Sequence, residues 1–111
     1  MEVGQSSPFG GHVRTETLLA LRLLEDSYVR EIARLLRRSL FGVQKAVRSL
    51  EADGLVAGRT QGRTRLLRLA PRYFAYDELR RYLSRLTEAE DVLRGRVSRL
   101  RRRPRRTGKR L

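Results

Sequence analysis

The sequence predicts a mainly α chain with a small β-hairpin and a long C-terminal helix, and three observations predict it. Apolar residues recur at helical spacing through His12–Leu24, Arg30–Leu36 and Leu40–Asp53. The period then turns extended around Gly58 and Gly62. From Asp77 onward a seven-residue leucine repeat restores the helical pattern.

Met1–Gly11 contains glycine, serine and Pro8 and reads as a loose arm over residues 1–11. In the first helix Val13, Leu18, Leu21 and Leu24 form a stripe widened by Leu19, Ala20 and Leu23. Glu25-Asp26-Ser27 interrupts it, and Tyr28-Val29 suits a one-bridge strand before a short second helix with Ile32, Leu35 and Leu36 turned inward. Ser39 is a good N-cap for a third helix, Leu40–Asp53, whose Val43, Val47 and Leu50 share one face. Gly54 stands where a C′ glycine would end it. Leu55-Val56-Ala57 and Arg65–Leu69 then flank a polar turn at Gln61-Gly62-Arg63-Thr64, a hairpin that Pro71 closes. One helix is expected over 77–103, with Leu79, Leu83, Leu86, Leu93, Val97 and Leu100 on a single seam that Glu90 and Gly95 weaken. Pro104 ends it, and residues 104–111 form a basic tail.

A chain of 111 residues holds one core, and 26 Lys and Arg against 12 Asp and Glu give it a net charge of +14. Arginine supplies nearly all of that positive charge, and the last twenty residues contain no acidic group. Such clustering points to a polyanionic partner, and arginine's planar fork suits phosphate and guanine. With no cysteine, thiolate chemistry and cysteine-based zinc sites are excluded. His12 is the single histidine and fits a surface position at a helix start better than a catalytic role. Asp77, Glu78, Glu88, Glu90 and Asp91 read as a solvated helix face. No phosphate-binding glycine loop or nucleophile–base pair is found, so an enzyme is not expected and no cofactor is assigned. Without an apolar run of about 18 residues or a signal-peptide pattern at the start, a cytoplasmic protein is expected.

Helix, short helix, tight turn, third helix and basic-tipped hairpin is the order of a winged helix-turn-helix, here with a long C-terminal helix. Val29-Arg30-Glu31-Ile32-Ala33, followed by the run from Val43 to Gly54-Leu55-Val56, resembles the winged-helix transcription regulators of the ArsR type. The resemblance covers Phe9 to Tyr76, and Tyr73-Phe74-Ala75-Tyr76 is similar to the link from wing to last helix. It implies a DNA-binding domain over 12–76. One departure is plain: Arg37-Arg38 stands where such turns usually carry glycine and an apolar residue.

The face of helix three opposite Val43, Val47 and Leu50 would present Leu40, Phe41, Gln44, Lys45 and Arg48 to a major groove. Gln44 suits adenine, Lys45 and Arg48 suit guanine or phosphate, and Phe41 suits a thymine methyl. Arg34, Arg37 and Arg38, with Ser39, lie before the helix and are expected near phosphate. Arg59, Arg63 and Arg65 decorate the wing, residues 58–65, which would lie on flanking backbone or in the minor groove.

The leucine seam predicts a homodimer, and hence a two-fold DNA site. Metal-sensing members of the family use Cys, His and carboxylate ligands, so a metal switch is not expected here. An effector, small molecule or protein, stays open. A sequence-selective regulator of double-stranded DNA thus stands first. Two alternatives are a sequence-independent architectural or RNA-associated protein, and an accessory interaction module for a separately encoded enzyme.

Overall fold

The computed structural model describes residues 8–101. The start of the expected arm, the end of the expected last helix and the basic tail 104–111 lie outside those residues. The described chain is α1 (His12–Leu24), α2 (Val29–Leu36), α3 (Leu40–Ala52), β1 (Val56–Gln61), β2 (Thr64–Leu69), α4 (Tyr76–Thr87) and α5 (Asp91–Arg101).

α1 is the centre of the molecule. Every residue from Thr15 to Leu21 is buried, because α2, α3, α4, α5 and β2 all pack against this one helix. A helix apolar on one stripe only could not be covered on so many sides, and the doubled leucines and alanine at 18–21 meet that demand. It ends at Glu25 with φ 71° and ψ −68°, where Asp26 N–H donates to the Leu24 carbonyl in a γ-turn. The reversal delivers Ser27 to the hairpin.

The expected bridge strand is displaced by one position. Ser27, not Tyr28-Val29, pairs with Leu67, exchanging N–H···O bonds of 3.0 and 2.7 Å. Tyr28 is instead the extended N-cap of α2, and Val29 its first residue. β1 and β2 are antiparallel, with Val56 opposite Leu69 and Gln61 opposite Thr64. The hairpin strands thus reach further than Leu55–Ala57 and Arg65–Leu69, leaving Gly62-Arg63 as a two-residue loop. Ser27 adds a single third rung on the inner edge.

α2 and α3 end in the same way. After α3, Leu55 N–H donates to the Leu50 carbonyl and Gly54 N–H to that of Glu51, with Gly54 at φ 79°. After α2, Arg38 N–H donates to Ala33 and Arg37 N–H to Arg34, with Arg37 at φ 57°. Both are Schellman closures, and in the second an arginine occupies the left-handed position that glycine usually fills.

Over its described part, to Arg101, the single helix expected over 77–103 is two helices. After Thr87 the hydrogen bonds shorten to i−3, from Ala89 to Leu86 and from Glu90 to Thr87, and the chain turns before α5 starts at Asp91. A straight continuation would carry Leu93 and Val97 into water. Folded back against α1 and α2, they are 0% and 5% exposed. The seven-residue repeat suits either arrangement, and burial of a leucine, worth about 2 kcal/mol, favours the one with core at hand.

That arrangement also relocates the expected dimer seam. Leu79, Leu83, Leu93 and Val97 are core residues, and Leu86 and Leu100 pack against them. Four of the six stripe residues thus face their own domain, and Leu86 and Leu100 are partly buried beside them. Glu90, expected on a solvated face, is buried at the α4–α5 turn.

Candidate nucleic-acid interface

α3 is built to stand proud of the body with its ends fixed. Its inner face, Val43, Ala46, Val47 and Leu50, is buried, while Phe41, Lys45, Arg48 and Ser49 are exposed and Gln44 is half-buried. At its start the Ser39 hydroxyl accepts a 3.0 Å hydrogen bond from Gly42 N–H, the expected cap. Leu40 departs from expectation: it is partly buried against the core, because the first turn tilts it inward beside Val43.

Three arginine–carboxylate contacts hold this helix and its wing. Ahead of α3, Arg38 places Nε 2.8 Å and Nη2 3.1 Å from the two oxygens of Glu16, a carboxylate buried on α1. At the far end, Arg14 of α1 reaches Asp53 at 2.8 Å and also bonds Ser49. On the wing, Arg65 donates to both oxygens of Glu51, at 3.2 and 2.6 Å. The carboxylates hold the Arg38 and Arg65 guanidiniums even more firmly protonated than usual, chiefly through these hydrogen bonds.

Gly58 makes the wing contact sterically feasible. A Cβ there would lie 2.4 Å from the Arg65 guanidinium and 3.0 Å from the Glu51 carboxylate. The Arg65 side chain therefore crosses the hairpin over a residue with no side chain and reaches back to α3. Arg38 and Arg65, both expected on phosphate, are thus committed to carboxylates.

Arg37, Arg48, Arg59 and Arg63 are exposed and have no carboxylate partner among the described residues. Arg59 makes only a 3.4 Å contact with Gln61. Lys45 places its ammonium 5.6 Å from the centre of the Phe41 ring. Among the described residues, exposed cations without a carboxylate partner thus lie at the turn before α3, along its outer face and on the wing, and also at Arg30 and Arg34 on α2, at Arg72 and at Arg99. Among the described residues no group of three or more His, Cys, Asp or Glu side chains could hold a metal ion. No described helix is long and apolar enough to cross a membrane.

Glu16, Arg14, Glu51 and Asp53 were not singled out from the sequence, although one signal was available. Glu16 lies three and four residues before Leu19 and Ala20, on the buried side of α1, where a charge needs a partner. Nothing in the sequence names that partner as Arg38.

These elements define a winged helix: three helices, the third followed by an antiparallel hairpin, with two further helices closing the core. Solved structures share that fold. The adhesin competence repressor AdcR from Streptococcus pyogenes matches with a TM-score of 0.56 at 19% identity, over 69% of this chain and 57% of that one. An apo double mutant of ZitR from Lactococcus lactis matches with a TM-score of 0.56 at 21% identity, over 69% and 59%. Wild-type ZitR in complex with DNA matches with a TM-score of 0.53 at 20% identity, over 77% and 60%. The chain spans less than two thirds of the length of each. No protein-family model matches the sequence, and no curated protein does.

Proposed function

We propose that this chain is a cytoplasmic, sequence-selective DNA-binding transcriptional regulator. α3 enters the major groove and presents Gln44, Lys45 and Arg48 to base edges, while Arg37 and the wing arginines Arg59 and Arg63 meet phosphate or the minor groove. The observation that carries this is the partition of the arginines. Those at the base of α3 and of the wing are tied to Glu16, Asp53 and Glu51, whereas those on the outer face are unpaired. ZitR, which shares the fold, is solved in complex with DNA, and this supports DNA as the partner. The ArsR-type resemblance stays part of the proposal.

A homodimer on a pseudo-palindromic site, with half-sites about 34 Å apart, also stays part of it. Its contact would lie outside the internal leucine stripe. The test is selection of bound duplexes from a random library, then titration of a selected and a scrambled duplex at two salt concentrations. A regulator prefers the selected duplex by a factor of about a thousand or more. Equal affinities with a steep salt dependence indicate sequence-independent binding, and little binding to either indicates an interaction module.

A further inference from the structure

Phe41 is 65% exposed on the first turn of α3, although helix α3 has a core face available one position away. Its immediate neighbour on the helix is Gly42, which adds no side chain, so the ring stands clear of the surface. Lys45 lies over the ring, 5.6 Å from its centre. Lys45 and Arg48 follow Phe41 by four and seven residues and so share its face, and the unpaired Arg37 precedes it in the turn.

An apolar ring with one cation against it and another on the same helix face fits an apolar group carried on a polyanion. In the major groove that group is the methyl at C5 of a pyrimidine, present on thymine and on 5-methylcytosine and absent from uracil and cytosine. The ammonium beside the ring meets the neighbouring guanine O6 and N7 or the phosphate. We infer that Phe41, backed by Lys45, reads the C5-methyl group of a pyrimidine, so that binding registers cytosine methylation as well as thymine. This rests on α3 entering the major groove, and it extends the match between Phe41 and a thymine methyl to 5-methylcytosine and to the lysine held against the ring.

The test uses the full chain and the duplex selected from the random library. Each thymine is replaced in turn by deoxyuridine, which removes one methyl group and leaves base pairing unchanged. At one position per half-site the affinity falls about fourfold, the scale of one buried methyl. Replacing the thymine–adenine pair there by 5-methylcytosine–guanine binds more tightly than replacing it by cytosine–guanine, by a similar factor. Phe41→Ala abolishes both differences, whereas Phe41→Leu, which keeps an apolar contact, retains part of them. Exposure of Phe41 means that both variants fold, and circular dichroism checks it.

A selected duplex bound with high preference but indifferent to every deoxyuridine overturns the methyl assignment and leaves the regulator standing. Methyl discrimination that survives in Phe41→Ala overturns the assignment to this residue. A chain that prefers no duplex overturns the groove placement and this inference with it.

Discussion

Glu16 and Arg38 form a two-bonded ion pair between the central helix and the turn that leads into α3, with the Glu16 side chain 5% and the Arg38 side chain 38% exposed. The pair fixes where α3 begins, because Arg38 is separated from Leu40 by the capping serine alone. Removing the arginine leaves a buried carboxylate without its counter-charge. Arg38→Ala is expected to lower stability in urea unfolding by about 2–3 kcal/mol, below the usual figure for a fully buried pair because water reaches the arginine. Adding Glu16→Gln to that variant should recover a large part of the loss. A change under about 0.5 kcal/mol would show that the pair is solvated and does not set the turn.

Arg37 adopts the left-handed conformation at the C′ position of α2. For a residue with a Cβ this costs on the order of 1 kcal/mol relative to glycine. Arg37→Gly is therefore expected to raise the unfolding free energy by about that amount while weakening DNA binding, since it removes an unpaired cation. If Arg37 meets a phosphate, the slope of log affinity against log salt falls by about 0.9. A more stable variant with undiminished DNA affinity would remove Arg37 from the interface.

Two threonines on α1 make a controlled pair. The Thr17 hydroxyl donates to the Val13 carbonyl at 2.7 Å, whereas the equally buried Thr15 hydroxyl has no partner. Thr15→Val keeps the shape and removes an unsatisfied polar group, so it should stabilise the fold by about 1 kcal/mol. Thr17→Val loses a bond and should destabilise by about 0.5–1 kcal/mol. Thermal unfolding of both variants checks the opposite signs, and destabilisation by Thr15→Val would contradict the packing.

The Glu51–Arg65 contact ties one wing cation to a carboxylate and sets the wing against α3. Half of the Arg65 side chain is exposed, so Glu51→Gln should change stability by less than about 1 kcal/mol. It also frees Arg65 and removes a negative charge from the proposed DNA-facing surface. Affinity for a scrambled duplex should then rise more than affinity for the selected one, and the specificity ratio should fall. Gly58→Ala, which displaces Arg65 sterically, should act in the same direction. An unchanged ratio in both variants would mean that the contact does not orient the wing.

Local patterns were legible in the sequence where one element decides them. The Val43, Val47, Leu50 face, the Ser39 cap and the Gly54 stop fix α3 with almost no help from the rest of the chain. Pairings between distant elements were not. Leu93 and Val97 carry the same spacing whether they meet a second copy or their own core, and only the uncovered sides of α1 and α2 decide between them. Likewise Arg38 and Arg65 look as available as Arg37 and Arg63 until the carboxylates of Glu16 and Glu51 arrive beside them.

The most direct measurement is the ratio of affinities for the selected and scrambled duplexes, taken at one salt concentration for the parent, Gln44→Ala and Arg48→Ala. Neither side chain is needed for the core, so the variants fold and the ratio reports base contacts. With α3 in the major groove, each substitution lowers the ratio by about tenfold or more, the cost of a bidentate base contact, while affinity for the scrambled duplex changes far less. Unaltered ratios in both variants would contradict the assignment of α3 as the recognition helix.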